Sequence, residues 1–543
     1  MKKIYYWSPT PVHTFTAEYD KYFQLDKPVV SALHIATGFA YLNSYIRRNR
    51  EDLYQQVEWS VLDFLYRDAE YVADIINQHD IDILLISVYI WNQDRVFKSL
   101  KQIKQLCKRP LTIIVGGPSV DPHRNRDYLL DYPDVDYAVY GPGEIAFTNV
   151  LDEIINNKPL SLLTSKNCSW RSDKGIKIAD YEFVRDPNCS PIVDSEDLFK
   201  KIVDDPEYKD YELVMPYETS KGCPYKCSFC DWGSGLSHKV YHRKWTWEDE
   251  LDVLGRLGIT GMHFADANFG MHKQDWDIAQ CLVRLKKEKG YNWRIYTVNF
   301  SKLNKKQVFK IAELLYINHI YTATKFSLQD INPAVLENID RPDVPWPEHK
   351  QMIDEMWQKY PNMVPRVEII QGLPGQTRET WEQTLLELSS YFNYIFVWYM
   401  LPNSPGATKE YRDRWGIKTL IGACPLNGHL TEIVVETNTY NFTDYCYFTL
   451  LRDVARHPVL QMNPQKKQIF ELIKKDPNLD TILETIKGYL VDQDQTKTVY
   501  NISHTVGLYL DKLIVANRDI LGTALAKDWL KHKLSKTKDL VSQ

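Results

Sequence analysis

The chain has 543 residues, 44% hydrophobic and 25% charged, and a formal net charge of −5. At ~100 to 200 residues per domain it divides into three or four units with large cores, and its composition excludes a disordered or collagen-like chain. The slight negative charge gives no electrostatic reason to expect nucleic acid or an anionic membrane as a partner. Met1 to Pro9 lacks the apolar core of a signal peptide, and the longest apolar runs, such as Ile83 to Ile90, fall far short of a membrane span. Nine cysteines, three of them clustered, then read as reduced thiols and metal ligands of a cytoplasmic protein rather than a disulfide framework.

Residues 1–165 alternate short apolar runs with amphipathic ones. Ile4 to Trp7, Glu58 to Leu62, Ile83 to Tyr89, Thr112 to Val115 and Tyr137 to Tyr140 read as strands. Ser31 to Arg48, Asp68 to Gln78 and Arg95 to Cys107 read as helices. This α/β alternation predicts a doubly wound, Rossmann-like parallel sheet whose ligand lies beyond the carboxyl ends of the strands. The candidate residues there are Ser87, Tyr89 and Trp91, then Gly116, Gly117, Pro118 and Ser119, then Gly141 and Glu144. A Gly-Gly-Pro turn alone is only a tight connection. Together, the apolar strand ending in Gly116-Gly117-Pro118 and the later Tyr140-Gly141-Pro142-Gly143-Glu144 resemble the cobalamin-binding domain that precedes the cluster domain in one large class of radical S-adenosylmethionine (SAM) enzymes. Leu33 to Leu42 resembles that class's first helix. The resemblance implies that cobalamin sits on these loops. No Asp-x-His-x-x-Gly motif surrounds His13, His34, His79 or His123, so the implied cobalamin has no lower ligand from that motif. His34 reads as a packed histidine on a helix face, and His123 as a solvated loop residue. A domain that has kept the fold and lost the cofactor also fits.

Residues 166–210 read as a linker with weak periodicity and three proline turns, at Asp186-Pro187-Asn188, Ser190-Pro191 and Asp205-Pro206. Cys223, Cys227 and Cys230 then fall within eight residues. Four cysteines would close a structural zinc site, whereas three leave one position of a metal centre open. A degenerate zinc knuckle or three buried thiols are the plainer readings. The three-and-two spacing, with Phe229 just before the last cysteine, resembles the C-x-x-x-C-x-x-C loop of radical SAM enzymes. That resemblance implies a [4Fe-4S] cluster on these cysteines, with SAM on the remaining iron.

From 211 to 415, about six strand–helix units follow, with strands at Gly261 to Phe264, Trp293 to Val298, Ala323 to Leu328, Val364 to Ile370 and Ile395 to Met400 among them. They predict a partial (β/α)6, TIM-like barrel with its chemistry at the carboxyl ends of the strands. Three such ends resemble SAM-contacting loops of the family. Asp266 and Asn268 belong to an Asp-x-Asn-Phe stretch in which Asp266 is placed to accept from the SAM ammonium. Gln329 ends a strand, with Lys325 and Arg341 near it. Gly372 and Pro374 belong to a Gly-Leu-Pro-Gly-x-Thr turn passing the adenine. Taken singly, each is also an ordinary capped loop. Trp232, Tyr241, Trp245, Trp247 and Phe269 are available to wall the site, although such aromatics are more often core.

Residues 416–543 read as a mostly helical cap ending in the basic stretch Lys527 to Lys538. Cys424 and Cys446 lack the spacing of a second cluster. The resemblance as a whole implies a cobalamin-dependent radical SAM enzyme that generates a 5'-deoxyadenosyl radical. The expected reaction is methyl transfer to an unactivated carbon or phosphorus of a small molecule, natural product or peptide. A flavodoxin- or ferredoxin-type donor would supply electrons. Radical rearrangement, cyclisation or ring contraction without methyl transfer is the alternative, and a non-catalytic iron-sulfur protein is a third reading.

Overall fold

The structure, a computed structural model, describes residues 1–14, 31–89, 91–120, 128–182, 189–233, 240–242, 247–321, 324–363, 365–401, 404–423, 430–492 and 498–541. Ile90, His123, Asp186 to Asn188, Trp245, Ala323, Val364 and Cys424 lie outside them. Among the described residues no helix is long and apolar enough to cross a membrane.

Apolar runs build a first sheet of seven strands in the order Val57–Asp63, Lys2–Trp7, Ile83–Ser87, Thr112–Gly116, Tyr137–Val139, Cys168–Ser172 and Gly175–Ile178. The first five are parallel and the last two antiparallel. All five residues of Ile83–Ser87 are buried, as a strand covered by helices on both faces requires. Gly38–Asn49 and Glu144–Asn156 pack through Phe39, Ala40, Phe147 and Val150 into one core. Ala69–His79 and Gln93–Leu106 pack through Val72, Val96 and Leu100 into the other.

Three local expectations change. Ser31 to Arg48 is not one helix: Ser31–His34 is a strand, and the helix starts at Gly38. The strand forms because the backbone of Ala32, Leu33 and His34 pairs in parallel with Glu212–Tyr217, extending the second sheet instead of the first. His34 therefore lies on a strand rather than a helix, with its ring centroid 5.8 Å from that of His263. Secondly, a further helix, Glu144–Asn156, follows the Gly141-Pro142-Gly143 turn. Finally, Cys168–Ser172 and Gly175–Ile178, expected in a connection, form a hairpin on the edge of the first sheet. Its turn is permitted by Gly175 at φ 94.

The second sheet runs Arg294–Phe300, Gly261–Phe269, Glu212–Tyr217, Ser31–His34 and Val12–Thr14. A third carries Thr324–Gln329, Pro365–Gln371 and Phe392–Val397, all parallel. The isolated Ile295–Tyr321 bridge joins them. Six parallel strands thus curve in chain order into a half-barrel with helices outside, and all their carboxyl ends lie at one rim. The C-terminal part is mostly helical. Phe442–Arg456 opens with a reciprocal Asn441/Asp444 cap and buries Tyr445, Tyr447, Phe448, Leu450, Leu451 and Val454, at roughly 1.5–3 kcal/mol for each large apolar side chain.

Candidate functional site

The cysteine loop leaves the first half-barrel strand and is held on both sides. Upstream, Asp266 is buried and its carboxylate accepts from the Thr219 N–H (3.1 Å) and Oγ1 (2.8 Å) and from the Ser220 N–H (2.6 Å) and Oγ (2.8 Å). Burial nevertheless pushes its pKa up to about 6. Within the loop, the Ser228 N–H donates to the Ile339 carbonyl at 3.0 Å, and the Ser228 carbonyl accepts from the Gly406 N–H at 2.8 Å. The Tyr411 hydroxyl donates to Ser228 Oγ at 2.9 Å. Gly406 is required here, because a Cβ would stand 2.6 Å from the Ser228 carbonyl oxygen. The Phe229 ring packs against the small cluster of Val335, Ile339, Leu373 and Trp398.

Cys223 and Cys227 are buried and Cys230 is half-buried, and none is in a disulfide. Each sulfur has an N–H donor nearby. Asn268 Nδ2 donates to Cys223 Sγ at 3.1 Å, and Lys302 Nζ to Cys227 Sγ at 2.7 Å. The backbone N–H of Trp232 serves Cys230, whose thiol burial pushes up to about 11. Among the described residues no group of three or more His, Cys, Asp or Glu gathers closely enough to hold a single metal ion.

The other strand ends surround this loop. Gln329 has the positive φ of 68 that few non-glycine residues adopt, at a register shift in its strand pairing. The next residue, Asp330, is buried and accepts from Gln376 Nε2 at 2.7 Å. Gln376 Oε1 accepts from the Gly372 and Leu373 N–H groups at 2.8 and 3.0 Å. The Gly372 carbonyl accepts from the Tyr440 hydroxyl at 2.6 Å, and Asn338 Nδ2 donates to the Pro374 carbonyl at 3.2 Å. The Gly372–Pro374 turn is therefore fixed from outside by the C-terminal part and the 338 loop. Phe269 is core, 4.6 Å from the Phe264 ring.

Behind the loop lie buried Arg341, Lys305 and Asp343. Arg341 pairs with Asp343 at 3.0 Å, and Lys305 reaches the same carboxylate at 3.6 Å. Nearby, His349 is 1% exposed, edge-on to Phe326, and its pKa is lowered to about 2 by burial, with Lys305 and Arg341 adding to the effect. A histidine whose folded pKa lies below its ordinary 6.5 contributes stability above pH 6.5 that is lost as pH falls, at up to about 1.4 kcal/mol per pH unit. His349→Leu is expected to remove that slope between pH 6.5 and 5, relative to the unsubstituted protein. Urea titrations at several pH values check this, and identical slopes would contradict it.

On the first sheet, Asn92 is fully buried and shapes the Ser87–Asn92 loop. It accepts from the Tyr89 N–H at 2.9 Å and donates to the Ser87 and Pro9 carbonyls at 3.0 and 3.1 Å. The Tyr89 and Trp91 rings stack at 4.5 Å. Ser119 N–H donates to the Val88 carbonyl at 3.2 Å, and Pro118 lies in the turn between Gly117 and Ser119. Gly141, at φ 64, lies under the Tyr181 ring, and Glu144 opens its helix. Gly116 and Gly117 allow the neighbouring backbones to close up; at Gly117 a Cβ would stand 2.6 Å from the Val88 oxygen, at φ +106. Gly117→Ala is expected to cost about 1–3 kcal/mol from backbone conformation alone and to weaken hydroxocobalamin uptake. Denaturant unfolding with absorbance titration tests both; unchanged values would contradict the assignment.

The Gly38–Asn49 helix touches the entry to the cysteine loop. The Tyr41 hydroxyl is 3.5 Å from Glu218 Oε2, and Lys221, two residues before Cys223, lies 5.8 Å from the Tyr41 ring. Burial raises the Tyr89 pKa, and the Glu218 carboxylate adds to it.

A family profile described as B12 binding domain matches residues 29–151. The chain is 28% identical over 401 residues to the cobalamin-dependent radical SAM methyltransferase TokK of Streptomyces tokunonensis, covering 69% of this chain and 56% of that protein. It is 27% identical over 389 residues to the 2-(S-pantetheinyl)-carbapenam-3-carboxylate methyltransferase of Streptantibioticus cattleyicolor, covering 66% and 54%. The chain is thus similar to cobalamin-dependent radical SAM methyltransferases. It spans a little over half the length of these curated relatives. The fold is also seen in the solved structure of OxsB with aqua-cobalamin and SAM bound, with a TM-score of 0.59, 12% identity, and 98% of this chain and 84% of that one covered. TsrM from Kitasatospora setae with cobalamin and a [4Fe-4S] cluster bound gives a TM-score of 0.52 at 13% identity, over 80% and 84%.

Against the expectations from the sequence, the structure brings Asn268 to a cysteine sulfur and places Phe229 as an anchor of the loop. It turns Asp266 toward Thr219 and Ser220. Lys302, Asn92 and Gln376 were not singled out in the sequence. Asn92 directly follows Trp91 and Gln376 is the variable position of the Gly-Leu-Pro-Gly-x-Thr turn, whereas Lys302 follows a strand with no motif around it.

Proposed function

We propose that the protein is a cobalamin-dependent radical SAM methyltransferase acting on a small molecule, with methyl transfer to an unactivated carbon or phosphorus. The observation that carries this reading is the contact of Tyr41, on the Gly38–Asn49 helix, with Glu218 and Lys221 at the entry to the loop of Cys223, Cys227 and Cys230. The names of the relatives support the reaction type. We assign residues 1–165 to the cobalamin side, 166–210 to the connection, 211–415 to the half-barrel and 416–543 to the cap. The strand exchanged at Ser31–His34 ties the first and third of these together.

Cys223, Cys227 and Cys230 would hold the [4Fe-4S] cluster. Ser87, Tyr89, Trp91, Gly116 to Ser119, Gly141 and Glu144 would line the corrinoid, and Asn268, Gln329, Gly372 and Pro374 would face SAM. When bound, these groups supply reductive cleavage of a carbon–sulfur bond and a methyl carrier. The chain's own residues orient and exclude. Asp266 acts as a positioning residue, since its four accepted bonds fix Thr219 and Ser220 ahead of the first cysteine. Gln376 locks the Gly372 turn. The stacked Tyr89 and Trp91 rings offer a flat apolar wall. An external low-potential donor of the flavodoxin or ferredoxin type would supply electrons.

The test is anaerobic reconstitution with iron, sulfide and hydroxocobalamin, followed by reduction in the presence of SAM. 5'-Deoxyadenosine together with S-adenosylhomocysteine supports methyl transfer. 5'-Deoxyadenosine alone shifts the reading to rearrangement or cyclisation. Neither product, from protein carrying a full cluster, contradicts an enzymatic role.

A further inference from the structure

The three cysteine sulfurs are not equivalent. Cys223 faces a neutral side-chain amide at 3.1 Å, Cys230 a backbone N–H, and Cys227 an ammonium at 2.7 Å. We propose that Lys302, through its contact with Cys227, sets the reduction potential of the cluster on this loop. The inference rests on the cluster assignment made above.

Lys302 is built into its place. Its ammonium lies 4.4 Å from the centroid of the Tyr225 ring, a cation–π contact that holds a half-buried charge inside the loop it serves. Its turn is fixed to the neighbouring strand end, which also carries Asn268. The Ser301 N–H donates to the Phe269 carbonyl at 2.9 Å, and Gln307 Nε2 donates to the Gly270 and His272 carbonyls at 3.0 and 2.6 Å. The two side-chain donors, Asn268 and Lys302, are thereby mounted on one cross-linked pair of turns and move together.

Arg341 and Lys305 share Asp343, so that group keeps one net positive charge, and Lys302 adds another. Three thiolates on a [4Fe-4S]2+ core carry a net charge of about −1, which one-electron reduction makes about −2. A fixed positive charge at hydrogen-bond distance from one thiolate favours the more negative, reduced state, and in a partly desolvated site the effect is stronger than in water. Asn268 and the Trp232 N–H act in the same direction with dipoles only, so Lys302 carries the largest share.

The experiment is an optical redox titration, without SAM, of reconstituted Lys302→Met, Lys302→Gln, Lys302→Arg and unsubstituted protein, with iron content measured on each. The expected result is that the Met and Gln variants are at least tenfold harder to reduce, a downward shift of 59 mV or more for one electron, and that the Arg variant matches the unsubstituted protein. Should the Met variant fail to retain iron, the Gln and Arg variants decide by the same ordering. Equal potentials across the series would overturn the inference. So would equal potentials combined with a tenfold weaker SAM affinity in the Met and Gln variants, which would make Lys302 a ligand of the SAM carboxylate instead. Failure of the unsubstituted protein to assemble a cluster would overturn the cluster assignment and this inference together, whereas equal potentials on assembled clusters would leave the assignment standing.

Discussion

Cys227→Ala is expected to abolish the [4Fe-4S] cluster and all detectable 5'-deoxyadenosine formation while leaving the fold intact. The loop offers three thiols, one for each of three irons, so none is spare. The loop itself is held by contacts that do not involve sulfur: Ser228 to Ile339, Gly406 and Tyr411, and the four bonds to Asp266. Removing one sulfur therefore removes the cluster without releasing the chain. Cys107→Ala, a half-buried thiol on the far side of the first sheet, is the control and should keep its full iron content. Iron and sulfide analysis with circular dichroism checks both. A Cys227→Ala protein that retained a four-iron spectrum and cleaved SAM would contradict the assignment.

Gln376→Ala is expected to be the most destabilising single change outside the apolar core, by about 3–5 kcal/mol. Gln376 is fully buried and uses its whole amide: two N–H groups accepted at Gly372 and Leu373, and two donations, to Asp330 at 2.7 Å and to the Ile370 carbonyl at 2.9 Å. Alanine leaves these groups without their partner in a closed space, at roughly 1–3 kcal/mol for each that stays unsatisfied. Asp330 suffers most. Burial already pushes its pKa up to about 6, and the Gln376 bond is foremost among the contacts that hold it down. Gln376→Glu keeps the shape but sets a second carboxyl against Asp330, so it should rescue little. Urea unfolding measures the loss, and SAM affinity should fall with it because the Gly372 turn loses its lock. A cost below about 1 kcal/mol, the usual scale of a surface change, would show that the network does not carry the turn.

Much of this site could be read from residue order because its chemistry is local. Cys223, Cys227 and Cys230 lie within one turn-rich stretch, and the Gly116-Gly117-Pro118 turn announces a sharp exit from an apolar strand. The structure adds a physical reason for that exit, the 2.6 Å approach of the Val88 oxygen to where a Cβ would sit at Gly117. What could not be read depends on contacts distant in sequence. Ser31–His34 looks helical when only its apolar spacing is considered. It is a strand because Glu212–Tyr217, some 180 residues later, offers it an edge. Asp266 carries the right charge for an ammonium partner, but its direction is set by Thr219 and Ser220, 47 and 46 residues upstream. Lys302 has no motif because its role comes from the turn that carries it and from a sulfur 75 residues away. Residue type announced which groups were available, and tertiary pairing decided which of them point at the loop.

The most direct test of the central claim is the iron and cobalt content of anaerobically reconstituted protein supplied with hydroxocobalamin. About four irons and about one cobalt per chain are expected, with cobalt uptake weakened in Gly117→Ala and the iron lost in Cys227→Ala. A full complement of iron with no cobalt would contradict that claim, leaving a radical SAM enzyme whose first sheet is a scaffold without a corrinoid.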